Sequence, residues 1–432
     1  MRMERTIKNF DALAVNELRR DALEIAEAGY AAVNVGNALK NIVRLENNEI
    51  HIKDKTYALA GRRVFFVGVG KCAFAAAGAI EKLLGDALTA GIAIDVVPAE
   101  QYGLTKVETY TGTHPLPSEK NALATKRIFE FLSDRNAEDL VIMIVSGGGS
   151  TLLCSYEAPM TCTDESFLFK ELTACGATIH EMNTVRKHTS RARGGGLALA
   201  AYPAEVISLI ISDVPGNDIE FISSGPTVKD TSTVNDAKEV LARFGVTPPE
   251  NAMFIETPKE EKYFERVSNI LFLTNKDALS AMKDEASRRG YAAEIVDEQF
   301  SGEAQEVGRT VAEKLHNVVP KTALLYAGES TVTLGENRGT GGRNQEMALG
   351  ALRDIRPGEL ILPFSSDGHD NTDAAGAIAD AVSLEHMNTQ HISVEKYLEA
   401  HRSYDFFTTT GDALGTGYTG SNVSDLIIGL KN

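Results

Sequence analysis

The sequence predicts a two-domain α/β protein whose N-terminal domain is a Rossmann-like, doubly wound, mostly parallel sheet. Three observations predict it. Short apolar runs alternate with stretches of helical period along most of the chain. The strongest runs end in glycine or small polar residues, as strands do where they face a ligand. At 432 residues the chain is also too long for one core.

Residues 9–45 have helical periodicity, and a break near Gly29 predicts two helices there. Residues 64–69 read as a strand, 73–84 as a helix and 92–97 as a strand. Helix, strand, helix and strand follow at 118–132, 140–145, 164–179 and 206–211. Composition shifts at residues 246–251, which include Pro248 and Pro249, before a charged run from Lys259 to Lys262. That shift predicts domains of residues 1–250 and 251–432. A second alternating series has strands at 270–273, 293–296, 323–326, 360–364 and 426–430. Its helices fall at 276–289, 304–316 and 345–353. Polar strand ends in both series lead to the expectation of an active site in the interdomain cleft.

Hydrophobic residues make up 43% and charged residues 24%, as in ordinary soluble globular chains. The net charge of −17 argues against nucleic acid or an anionic membrane as partner. An anionic substrate would therefore need local cations, and Lys71, Arg186, Lys187 and Arg343 lie beside glycine-rich or turn sequence. Cys72, Cys154, Cys162 and Cys175 lack CxxC spacing and read as reduced thiols of a cytoplasmic protein. Residues 1–8 carry charge and no apolar core, so no secretory signal is expected. The most apolar window, residues 64–80, contains Lys71 and several glycines, which suits a buried strand–turn–helix and not a membrane span.

Gly68, Gly70 and Ala73 follow a strand pattern as GxGxxA, with Asp95 near the end of the next strand where a ribose-binding acid would sit. Lys71 inside that turn suits a phosphoryl group better than a dinucleotide; the plain alternative is a solvated lysine. A Walker A loop is excluded, because Phe65 stands where its first glycine belongs and Cys72 replaces Ser/Thr. Ser146, Gly147, Gly148, Gly149 and Ser150 follow five apolar residues. Three bare residues there suit an anion cradle, against the alternative of a tight turn. Gly341 and Gly342 precede Arg343, Asn344 and Glu346 at the start of a helical pattern, which brings a forked, always-charged donor to a helix start. The run from Asn183 to Gly196 carries Arg186, Lys187, His188, Arg191 and Arg193, either a solvated basic face or an anion site. Asp213, Asp218, Asp367, Asp370 and Asp373 lie at strand ends. Each alone is more often a cap or turn residue, but Asp213 and Asp367 together suit Mg²⁺. His114 reads equally as a site or a turn residue. No G-x-S-x-G elbow frames Ser146, which disfavours a hydrolase.

Taken in order, Gly68 to Lys71, Val145 to Ser150, Asn183 to His188, Ile211 to Gly216, Ser224 to Val228, Gly341 to Glu346 and Asp373 to Ala377 closely resemble the glycerate kinases of the MOFRL family. The resemblance runs from about residue 10 to the end. It implies ATP-dependent phosphorylation of D-glycerate, usually at the 2-hydroxyl to give 2-phosphoglycerate, with Mg²⁺ or another divalent cation. It also implies a Rossmann-like N-terminal domain and an α/β MOFRL domain across a cleft. The residues matching Lys71 and Arg343 are held to be catalytic in that family. His369 and Asn371 stand where Gly-Pro-containing loops are common, and Tyr418 replaces a usual proline.

The expected roles follow from residues and resemblance together. Lys71, Arg343 and Asp213 are the expected catalytic residues, with Asp213 and Asp367 as metal ligands. Gly70, Ser146, Gly147, Gly148, Gly149, Ser150, Arg186, Lys187, Asn344 and Glu346 are expected at substrate or phosphate. Arg343→Ala is expected to lower kcat far more than folding stability. D-glycerate and ATP are the expected partners, with no nucleic acid or membrane; a homodimer stays open. The rival activities are an NAD(P)H-dependent hydroxypyruvate reductase, resting on the GxGxxA turn with Asp95, and a non-catalytic sugar-phosphate-binding regulator.

Overall fold

A computed structural model describes residues 5–334 and 339–432. The chain forms two compact units: a split unit of Met1–Asn34 with Thr274–Asn432, and an inserted unit of Val35–Leu273.

Helix α1 (Glu17–Val33) begins where the Asn16 side chain accepts the Arg19 amide, and it runs unbroken through Gly29. Gly29 is a packing residue and not the expected break, because a Cβ there would stand 2.9 Å from Met282 Cγ. Helix α1 is tied to the split unit by charge as well. Buried Arg19 donates to Asp380 at 2.7 and 2.8 Å and meets Asp412 at 2.8 Å.

The inserted unit is built on six parallel strands: β1 (Val64–Val69), β2 (Leu88–Asp95), β3 (Val107–Thr111), β4 (Leu140–Val145), β5 (Glu205–Ile211) and β6 (Val267–Leu273). Their order is β3-β2-β1-β4-β5-β6. This is the doubly wound order whose switch point, between β1 and β4, opens a crevice at the strand carboxyl ends. Helix α2 (Ala73–Leu84) crosses from β1 to β2. Val67, Ile92, Met143, Leu197 and their neighbours form the core. The helix expected at 164–179 is two, Cys162–Ala174 and Ile179–Lys187, separated by Gly176 at φ +75° and a capping box on Thr178. An antiparallel meander over residues 43–58 and the edge strand β3 were not expected.

The observed division differs from the one expected at residue 250. Strand β6 pairs with β5 from Val206↔Val267 to Ile211↔Leu273, which keeps residues up to 273 in the inserted unit.

The split unit adds α3 (Asn275–Arg288), β7 (Ala292–Phe300), α4 (Ala304–His316), β8 (Thr322–Gly328), α5 (Arg343–Leu352), β9 (Glu359–Ser365) and β10 (Asp425–Lys431). Strands pair in the order β7-β8-β10-β9, extended by short pieces at Gly376–Ala377 and Ala413–Leu414. β7 and β8 are parallel, and β10 runs antiparallel to β8 and β9. Asp425, the first residue of β10, therefore lies opposite Gly328 and Ser365, the last residues of β8 and β9. Leu324, Met347, Ile361, Phe406 and Ile427 belong to the core beneath that edge. Among the described residues no helix is long and apolar enough to cross a membrane.

Candidate functional site

In the inserted unit the two glycine-rich turns meet at the switch point. Lys71 N donates to Gly147 O at 3.0 Å, and the Ser146 hydroxyl accepts the Cys72 amide at 3.2 Å. Gly70 sits at φ +114°, and a Cβ on it would overlap Ser146. Gly148, at φ +83°, lies under two side chains: a Cβ there would stand 3.3 Å from Lys71 Cγ and 3.4 Å from His114 Cδ2. Lys71 and His114 thus converge on the bare backbone of this turn, with Lys71 half-buried and His114 exposed.

A second segment braces the turn. Ser223, Ser224 and Gly225 are all left-handed, at φ +53°, +58° and +57°. The Ser223 hydroxyl donates to Ser146 O at 2.7 Å, Ser150 Oγ lies 2.8 Å from Ser224 Oγ, and Ser224 donates to Asn183 Oδ1 at 2.6 Å. Consecutive non-glycine residues in that region persist only where the surroundings over-determine them, a pattern common at functional sites. Sequence reasoning singled out neither serine for this role, since their conformation leaves no compositional signal.

The basic run behaves differently from its expected role. Arg186 is packed over Phe169 at 4.2 Å and beside Glu165 at 3.6 Å, and burial pulls its pKa down to about 10. Lys187 is nearly fully buried, with Nζ 3.0 Å from Asp230. Arg193 pairs with Glu165 at 2.7 Å. These charges are matched by carboxylates inside the unit, so the phosphate contact expected of Arg186 and Lys187 does not follow from their placement. Asp95 likewise differs from its expected place at a ribose. It is buried and accepts the amides of Phe74 (3.0 Å) and Val96 (2.6 Å), seating the start of α2. Burial raises its pKa to about 6. Asp213 lies half-buried two residues past β5.

In the split unit Arg343 is the first residue of α5. Its Nε donates to Asp425 at 2.5 Å and its Nη1 to Glu329, while a third of the side chain stays exposed (33%). Burial alone would lower its pKa, but Asp425 and Glu329 outweigh burial and raise it. The α5 amides of Asn344 and Gln345 donate to Asp370 at 3.1 and 2.8 Å. An internal carboxylate therefore occupies this helix N-terminus, and the open donor edge is that of Arg343. Burial, together with the nearby charge of Asp425, pushes Asp370 up to about 7 against those amide bonds.

Asn344 is fully buried against Asp370, and Glu346 is held by Gln305 at 2.7 Å and His401 at 3.1 Å. A cavity of 330 Å³ is lined by Gly341, Gly342, Arg343, Glu346, His401 and Ser330. Ser330 Oγ there is buried without a hydrogen-bond partner among the described residues. Asp367 accepts Ser365 Oγ at 2.6 Å and the His369 amide at 2.9 Å. Among the described residues no three His, Cys, Asp or Glu side chains are grouped to hold a metal. Asp425, which fixes Arg343, was missed because only the antiparallel pairing of β10 brings it to the strand ends.

The fold defines a two-unit α/β protein, with a glycine-rich turn bearing Lys71 in one unit and the partly exposed Arg343 in the other. Residues 21–255 match the family described as a domain of unknown function, DUF4147, and residues 322–425 match the MOFRL family. A protein of Pyrococcus horikoshii named glycerate 2-kinase is 34% identical over 96% of this chain and 97% of its own length. An Agrobacterium vitis protein provisionally named a hydroxypyruvate reductase is 38% identical over 84% of this chain and 86% of its own. A crystal structure of glycerate kinase from Thermotoga maritima is similar at a TM-score of 0.83 and 32% identity, covering 96% of this chain and 99% of that one. The chain belongs to the MOFRL family of glycerate kinases.

Proposed function

We propose that the protein transfers the γ-phosphoryl group of ATP to the 2-hydroxyl of D-glycerate, giving 2-phosphoglycerate and ADP. The observation that carries this reading is Arg343: an always-charged fork gripped by two carboxylates at converging strand ends, with a third of it exposed. Family membership supports the substrate pair, through relatives named for glycerate phosphorylation.

Phosphoryl transfer asks a protein mainly for alignment and for charge placed where the transferring group needs it. The glycerate hydroxyl oxygen forms a bond to phosphorus as the bond to the ADP oxygen breaks, and the hydroxyl proton is released to solvent. Arg343 is suited to supply two-pronged, directional charge, and Lys71 a point charge. Gly147 and Gly148 offer bare backbone beside Lys71, whereas the amides of Gly70, Ser146 and Gly149 are already donated to the carbonyls of Ile94, Val69 and Ser146, so these three shape the turn. Glu346 lines the Arg343 cavity, and Asn344 serves from behind by holding Asp370. Ser330 Oγ is a buried hydroxyl suited to a ligand oxygen in that cavity.

Mg²⁺ fits this chain in one manner. It is commonly held by one or two carboxylates, with substrate phosphates and water completing the shell. Asp367, whose carboxylate is oriented by two donors, suits that arrangement in the split unit, and half-buried Asp213 suits it in the inserted unit. A cation there would offset charge on the nucleotide phosphates.

The reductase reading loses its main support, since the Asp95 carboxylate is committed to α2. The deciding experiment is an ATP- and Mg²⁺-dependent assay on D-glycerate with ³¹P NMR of the product. A 2-phosphoglycerate resonance is expected. A 3-phosphoglycerate resonance would overturn the regiochemistry alone. No phosphoester, with NADH consumed on hydroxypyruvate, would overturn the kinase.

A further inference from the structure

Two aromatic rings in the split unit, those of His369 and Tyr418, pack against each other. The Tyr418 ring stacks on the His369 ring, with centroids 3.9 Å apart and planes inclined by 27°. The stack joins two loops that are far apart in sequence. Tyr418 nevertheless remains 49% exposed, and the chain contains no tryptophan that could offer a comparable surface.

The stack is rigidly mounted. His369 is held by its amide to Asp367 (2.9 Å) and by Nδ1 against the Thr372 carbonyl (2.9 Å). The loop bearing Tyr418 is tied to the loop bearing His369 by Thr419 N to Asp367 O (3.2 Å) and Thr419 Oγ1 to Ser366 O (2.6 Å). Gly368, at φ +84°, packs so closely on Gly417 that a Cβ would overlap its carbonyl. Both loops then run on to carboxylates at the start of α5. The first leads directly into Asp370, which seats the amides following Arg343, and the second leads into Asp425, which holds its guanidinium.

An exposed aromatic ring backed by a second ring, on loops that lead to the carboxylates seating a phosphate-type cation and its helix start, is suited to binding a nucleotide by stacking its base. We propose that Tyr418, supported by His369, is the platform on which the base of the nucleotide substrate stacks. The proposal rests on the reading that a nucleoside triphosphate is the phosphoryl donor, and it assigns the base to the split unit.

The test uses the full-length protein with two probes, ADP and inorganic tripolyphosphate, the second having phosphates without a base. Calorimetric titration of Tyr418→Ala is expected to show ADP binding weakened about 10-fold, the scale of one lost base stack, and tripolyphosphate binding unchanged. Tyr418→Phe should bind ADP as the parent does, and His369→Ala should fall between. In the glycerate assay Tyr418→Ala should raise the KM for ATP by a similar factor, with kcat and the KM for glycerate held. Equal weakening of ADP and tripolyphosphate would overturn the platform in favour of a phosphate or folding role. Unchanged ADP binding would overturn it outright, as would loss of a sedimenting oligomer in Tyr418→Ala with ADP binding intact, which would make the ring a contact between copies. Failure of the kinase reading is separable: the parent would then not phosphorylate D-glycerate, while the ADP titration still reports on the ring.

Discussion

At the scale of the residue, the expected site cations prove to be of two kinds. Arg186 and Lys187 face buried acids, whereas Arg343 is shared between the protein and an open edge. That sharing amends the expectation for Arg343→Ala, because removing the arginine strands Asp425, which is 1% exposed. An uncompensated buried charge costs about 3–5 kcal/mol, so the alanine variant would lose stability along with activity. Arg343→Lys separates the two: charge stays near Asp425 while the fork is lost. We expect kcat to fall about 100-fold and the melting temperature to shift by only a few degrees. Kinetics and thermal melts on one preparation decide it, and full activity would remove Arg343 from the chemistry. Asp370 contributes a pH dependence of its own. Its folded pKa of about 7 lies above the unfolded value, so the native state holds a proton that the unfolded chain has released. Its contribution is therefore fully present below about pH 4, declines as pH rises to about 7 and is flat above, with a total on the order of a few kcal/mol. Urea midpoints from pH 5 to 8 should fall in the parent and fall less in Asp370→Asn. An identical slope in both would assign the effect elsewhere.

At the scale of the element, sequence was most legible where burial is complete. β1, β4 and α4 begin and end at the residues expected, since fully buried parallel strands read as unbroken apolar runs and α4 has a clear helical stripe. β3 was illegible for the converse reason: only Val107 of its five residues is buried. The glycine turns were readable as a site because bare backbone at a strand end has few other uses. The partners of the basic run were not, because Glu165 and Asp230 meet it only through the fold. Gly29 shows how one letter can carry two opposite meanings. In sequence it signals a helix break, and in the structure it is where α1 and α3 approach closely. Gly29→Ala should be nearly neutral, since gained helix propensity offsets a small displacement of the flexible Met282. Gly29→Val must push the helices apart and should cost about 1–3 kcal/mol by chemical denaturation. A valine variant as stable as the parent would show that the contact is loose.

At the scale of the whole molecule, chain order and spatial order disagree. The first helix belongs with the last strands, and the Rossmann-ordered unit is an insertion between them. Composition points to residue 250 because prolines and charges gather there, but that loop lies within the inserted unit, before its last strand. The physical boundary is instead where backbone pairing and buried apolar contact change partner. Cutting at residue 250 would remove β6 from β5 and leave the side chains of Leu23, Ile25, Ala26 and Val33, all fully buried in the whole chain, without the split unit they belong to. Cutting at Val35 and Leu273 breaks neither the six-strand sheet nor the packing of α1. A fragment of residues 35–273 should therefore melt in one cooperative transition with dispersed amide resonances, whereas residues 1–250 should bind a hydrophobic dye and melt broadly. Circular dichroism and a two-dimensional amide spectrum on both fragments check it. If residues 1–250 fold and 35–273 do not, α1 is a structural part of the Rossmann-ordered unit and the division drawn here is wrong.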